Sequence, residues 1–159
     1  MNAARANAGS GTAEANKIVW NYTLLGLTPG IVPVPWVDLP LLTGIQLKML
    51  HSLARLYEIE FSTQRGKSII GSLVGASIST GVAGYLIPMI PGVGTLLGGV
   101  STAVLGGAST YAVGKVFIQH FDSGGTLLTF DPDKMRDYYT EHFAAGRARV
   151  AESFMGVRP

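Results

Sequence analysis

The sequence predicts an all-α protein in which amphipathic helices flank a Gly-rich hydrophobic helical hairpin, its two arms spanning or inserted into a membrane. Three observations carry this. No Asp, Glu, Lys, Arg or His occurs from Ser68 to Gly114, and a helix needs only about 20 apolar residues to cross a bilayer core. Small residues in that run recur at steps of four, the spacing that lets two helix backbones approach. The chain is 47% hydrophobic and 14% charged, against roughly 25% charged in an average soluble domain; its mean hydropathy is +0.32. The competing reading of the same run is a soluble hairpin buried inside an assembly.

The elements follow in chain order. Residues 1–15 are mostly Ala, Asn, Gly and Ser, with little to bury, and are expected to be a flexible or fraying N-terminus. The stretch Asn16–Leu27 is apolar enough for a short helix, stopped by Thr28-Pro29-Gly30. Pro33 and Pro35 lack N–H groups and hold their predecessors extended, so a loop is expected as far as Trp36. Asp38 is placed to cap a helix with Pro40 in its first turn. That helix is expected to run to about Glu58, with Leu42, Ile45, Met49, Leu53 and Leu56 on one apolar stripe.

The uncharged run comes next. Its break is the "PMIPGVG" stretch, Pro88 to Gly94, whose prolines and glycines disfavour helix. The arms are then about Ile69–Ile87 and Gly94–Phe117. Gly71 and Gly75 open one stripe of small residues, and Gly94, Gly98, Gly106 and Gly114 belong to another. Arg65 and Lys67 flank the run on one side and Lys115 on the other, so both termini are expected on the cytoplasmic side. Beyond Lys115 the chain turns polar. Asp131 and Pro132 read as the start of a last amphipathic helix to Ala145, closed near Gly146. The expected organisation is a flexible N-terminus (1–15), one membrane-associated helical domain (16–145, hairpin about 68–117) and a tail (146–159).

Chemistry is hard to find. There is no Cys, which excludes disulfides, thiolate metal sites and Cys nucleophiles. A net charge of +2 is too small and scattered for a nucleic-acid surface. Gly66-Lys67-Ser68 resembles the end of a phosphate loop, but Phe61 stands where the first Gly should be and no strand precedes it. His51, His120 and His142 sit in separate segments without ligand partners at helical spacing. "DPD" at Asp131–Asp133 lacks the remaining oxygen ligands of a calcium loop. No nucleophile elbow or triad can be assembled. No cofactor, no metal and no enzymatic activity are expected.

One resemblance spans most of the chain, from about Ile18 to Phe143. Pro33, Pro35 and Asp38, then Gln46 and Met49, then Leu53, Ala54 and Tyr57, followed by "IPGVG" (Ile90–Gly94) and "TYAVGKVF" (Thr110–Phe117), resemble the YcjF-like bacterial inner-membrane family. Glu58 departs from the pattern, since that family often carries Tyr-Gly there. The resemblance implies a bacterial inner-membrane protein of undefined biochemical role, in a family found alone or behind Era- or dynamin-like GTPase domains. Gln46, Met49 and Tyr57 share one helix with no acid, base or metal partner nearby in sequence, so they are expected to serve structure or docking, not catalysis.

The function these observations suggest is a non-enzymatic membrane scaffold. It would self-associate through its glycine faces, in the lipid bilayer or as a subunit of a membrane complex, and recruit a cytoplasmic partner, a GTPase among the candidates. Two other readings stand beside it: a pore-forming or membrane-remodelling partner of a GTPase, and a soluble oligomeric shell or ring with buried hairpins.

Overall fold

A computed structural model describes residues 2–28, 35–79, 95–154 and 156. They form five helices: α1 (Asn2–Leu25), α2 (Pro35–Leu56), α3 (Thr63–Ser79), α4 (Thr95–Asp122) and α5 (Arg136–Phe154). No strand occurs among the described residues, so the chain is all-α.

The bundle is organised around α4. Every residue from Gly106 to Gly114 is buried; a helix covered on all sides has no need of charge. Tyr111, Val113, Val116 and Phe117 meet a core drawn from the other four helices. Its members include Val19 on α1, Met49 and Leu53 on α2, Leu73 on α3 and Tyr139 on α5. Directions follow from matched positions. Lys115 Nζ donates to Asn16 Oδ1 at 2.9 Å, while Gly26 lies against Gly106 and Thr110, so α1 runs antiparallel to α4. Gln46 meets Ser109 and Tyr57 meets Asp122, so α2 runs parallel to it. Val150 packs at Gly107 and Gly146 at Ala108 and Tyr111, so the second half of α5 returns along the first half of α4.

This arrangement corrects the expected hairpin. Among the described residues no helix is long and apolar enough to cross a membrane. The second expected arm, Gly94–Phe117, has its stretch from Ala103 onward enclosed largely by protein, which accounts for its missing charge without lipid. The turn Pro88–Gly94 and the end of the first arm lie outside the described residues, as does Pro33.

Three boundaries also differ. The helix expected from Asn16 begins at Asn2: once Ala15 and Val19 are docked, extending an existing helix through Ala-rich sequence needs no new nucleus. α2 begins at Pro35, not after Trp36, and carries Pro40 inside it; the proline's missing N–H removes one intrahelical bond near the start, where the loss is smallest. α5 begins at Arg136, because Asp131 Oδ1 accepts the Asp133 N–H at 3.1 Å in a local turn. It then continues through Gly146 to Phe154. Gly146 is a packing residue rather than a stop: a methyl there would lie 3.2 Å from the Ala108 Cα.

The end of α2 explains Glu58. The Ile59 N–H bonds the Ala54 carbonyl at 2.8 Å and the Glu58 N–H bonds the Arg55 carbonyl at 3.3 Å, a Schellman motif. Glu58 holds its left-handed position with φ 55°, where glycine is preferred. α4 ends in the same way with Gly124 at φ 80°. Left-handed backbone costs a non-glycine residue about 1–2 kcal/mol, and glycine gives up about 0.5–1 kcal/mol of chain entropy. Glu58→Gly is therefore expected to stabilise the protein by about 0.5–1 kcal/mol. An unchanged or lower thermal midpoint would count against this account of the cap.

Candidate functional site

The motif residues of α2 converge on α4. Gln46 is 2% exposed, and its Nε2 donates to Ser109 Oγ at 3.1 Å. Ser109 Oγ lies 3.1 Å from the Tyr139 hydroxyl. One buried polar chain therefore ties α2, α4 and α5 together. Met49 is fully buried, with its sulfur against Gly114. Tyr57 donates its hydroxyl to Asp122 Oδ1 at 2.7 Å and its ring lies 5.5 Å from Phe121, which pins the end of α2 to the end of α4. The buried face of α2 is thus turned toward Gln46, Met49, Leu50, Leu53 and Ala54, while Leu42, Ile45 and Leu56 of the expected stripe lie at its margin.

These groups suit holding better than proton transfer. Burial pushes the Tyr139 hydroxyl up to about 12, against a smaller opposing pull from its bond with Ser109. Burial, then the Asp122 carboxylate, also raises Tyr57 far above the usual tyrosine range. Both stay neutral at physiological pH and act as hydrogen-bond pins. Among the described residues no group of three His, Asp or Glu side chains could hold a metal ion.

The glycines divide. At Gly106 a methyl would lie 2.6 Å from the Gly26 carbonyl oxygen, and at Gly114 2.5 Å from Val19 Cγ2; both are seats for α1 within the same chain. Gly71 and Gly75 face open space. Gly98 lies on the first part of α4, and Gly94 is outside the described residues. Arg65 and Lys67 are exposed on the first turns of α3, where Ser62 Oγ accepts the Arg65 N–H at 3.4 Å. Gly66, suggestive of a phosphate loop in the sequence, is instead tight against Leu47 and Leu50. Lys115 lies half-buried in the α1–α4 seam on Asn16. Pro35 and Asp38 fall in the first turns of α2.

Sequence reasoning missed Ser109, Tyr139, Asp122 and Gly26. Ser109 stood in a run of small residues and Tyr139 on an amphipathic face, and nothing local paired either with Gln46. His142 also gained a role. Its Nδ1 is buried without a hydrogen-bond partner, and its ring lies 4.3 Å from that of Tyr138. Burial, then the positive charge of Lys115, lowers its affinity for a proton, with Glu141 opposing. The unfolded chain then binds the proton more readily, so this contribution to stability is present above the ordinary histidine value of about 6.5 and is lost as pH falls toward the depressed one. Acid-side thermal melts should show the loss, and His142→Gln should flatten it; an identical pH profile in the variant would exclude His142 as its source.

A family described as a domain of unknown function, DUF697, matches residues 2–147. The chain belongs to the DUF697 family. This is the domain found with YcjF-like and GTPase proteins, as the order of motifs from Pro33 to Phe117 implied. The DUF697 chain is also similar to Magnetosome membrane protein 22 of Magnetospirillum gryphiswaldense, at 40% identity over 142 residues that cover 87% of this chain and 73% of the relative. No solved structure matches it. Within this DUF697 bundle, Gln46, Met49 and Tyr57 all seat α2 on α4.

Proposed function

We propose that the protein is a non-enzymatic accessory protein of a bacterial inner membrane, held there by the uncharged stretch that leads from α3 into α4. The observation that carries this reading is the 40% identity to a magnetosome membrane protein across 87% of the chain. The absence of charge from Ser68 to Gly114 supports it: the part from Ala103 onward is covered largely by protein and Ile69, Ile70 and Leu73 lie in the core, while Gly71 and Gly75 on α3 face open space. Attachment is by insertion of this stretch, with both termini on the cytoplasmic side, as Arg65 and Lys67 favour. The protein is expected to remain in the pellet after carbonate washing of membranes, and terminal tags to be cleaved by protease only from the cytoplasmic face. Release by carbonate, or a periplasmic tag, would overturn the reading.

Self-association belongs to the same proposal, on a narrower surface than the glycine pattern suggested. With Gly106 and Gly114 occupied by α1, the stripe glycines that face open space among the described residues are Gly71 and Gly75 on α3, the face offered to a second copy. Crosslinking in membranes should weaken in Gly71→Leu with the fold intact; unchanged crosslinking would remove α3 from the interface. Recruitment of a cytoplasmic partner, a GTPase by family association, is tested by copurification from native membranes.

A further inference from the structure

The helix directions divide the bundle into two ends of opposite character. At one end lie the close of α1, the start of α2, the N-terminal half of α4 and the close of α5. Three of the large apolar side chains exposed to solvent are here: Leu24 at 42%, Leu25 at 50% and Leu41 at 45%. The chain carries no charged residue or histidine from Ile18 to Val37 or from Ser68 to Gly114, and described parts of both runs lie at this end, in the close of α1, the start of α2 and the first half of α4. The opposite end holds Glu58, Glu60, Asp122, Asp131, Asp133 and Asp137; Lys134 and Arg136 pair with Asp131 and Asp133 and Arg55 lies in the last turn of α2, so acids remain in excess there. Acids near the apolar end are few, Asp38 in the first turns of α2 and Glu152 late in α5. Cations lie on the flanking helices: Lys67 borders an open, mostly apolar groove with Pro40, Thr43, Gly44, Leu47 and Thr63, and Arg147 and Arg149 lie on the second half of α5, Arg149 donating to the Tyr111 hydroxyl at 3.1 Å.

We propose that this end, through Leu24, Leu25 and Leu41, seats on an anionic lipid surface, with the acidic end directed away from the membrane. Exposed leucines at the end away from most of the carboxylates, with cations on neighbouring helices, match the boundary between acyl chains and anionic headgroups. The proposal rests on the membrane reading above and adds the orientation of the bundle on it.

The absence of Cys makes single-cysteine labelling clean. Leu25→Cys, Leu41→Cys and Leu128→Cys each receive an environment-sensitive fluorophore in the full chain. Leu128 is the internal control: it is 68% exposed, more than either test position, but lies beyond α4 at the acidic end. The labelled chains are bound to vesicles of phosphatidylcholine and phosphatidylglycerol carrying a lipid-attached quencher. Labels at 25 and 41 are expected to be quenched several-fold and shifted to the blue, and the label at 128 to keep its aqueous emission. Vesicle-bound chains with no quenching at 25 and 41, or with equal quenching at 128, would overturn the orientation while leaving membrane attachment intact. Failure of the chains to float with vesicles at all would overturn the membrane reading together with it. Omitting phosphatidylglycerol is expected to reduce the bound fraction several-fold, and equal binding would overturn the electrostatic part.

Discussion

Gly106→Leu is expected to destabilise the folded chain by about 3 kcal/mol or more, the upper end of what overpacking costs. The reason is the identity of the obstructing atom. A Cβ at this position would sit 2.6 Å from the backbone carbonyl oxygen of Gly26, with Leu42 Cδ1 at 3.7 Å. A backbone oxygen cannot rotate away as a side-chain tip can, so α1 must lift from α4. That displaces Val19 from the seat formed by Gly114 and Met49 and loosens the Asn16–Lys115 bond. Better helix propensity returns at most about 1 kcal/mol. Folded domains hold only about 5–15 kcal/mol in reserve, so the loss is a large share. Thermal unfolding by circular dichroism in mild detergent should fall by roughly 6–12 °C for a chain of this length. The matched control is Gly71→Ala on α3. Nothing lies within 4 Å of its missing Cβ, so propensity alone should stabilise the protein by up to about 1 kcal/mol. Equal midpoints for the two variants would mean that α1 does not pack on this face.

Gln46→Ala is expected to cost about 2–4 kcal/mol, from a cavity and a broken polar chain together. The side chain is 2% exposed, so its removal leaves a void where α2, α4 and α5 meet. Ser109 Oγ loses the Nε2 donor but keeps Tyr139. Tyr139→Phe is expected to cost only about 1 kcal/mol, because the ring still fills its place and Gln46 still serves Ser109. The double variant should exceed the sum of the two, since only it strips the buried Ser109 hydroxyl of both Gln46 and Tyr139. Strict additivity in equilibrium unfolding would show that the chain of bonds does not act as a unit. Binding of any copurifying partner should follow folded fraction in these variants. A Gln46→Ala protein that kept its stability and lost a turnover would overturn the non-enzymatic reading.

Helical content was legible because it rests on local chemistry. The 3- and 4-residue spacing from Leu42 to Leu56 acts through the few residues around it, whereas Pro35, expected in an extended loop, starts α2. The family was legible from the order of motifs between Pro33 and Phe117. The uncharged run from Ser68 to Gly114 was equally plain, and the sequence by itself determined that this stretch avoids water. Only the tertiary structure decided what replaces water there. Lipid and a packed protein interior make the same demand on a side chain, so composition does not separate them; the enclosure of Gly106–Gly114 by neighbouring helices does. The same holds for single residues. Gly106 and Gly71 look alike in sequence, yet one meets the Gly26 carbonyl oxygen just past α1 and the other meets nothing. Gly146 ends no helix because α4 passes close beside it. Gln46, Ser109 and Tyr139 are joined across 63 and 30 positions of chain, a pairing that only the crossing of α2, α4 and α5 creates.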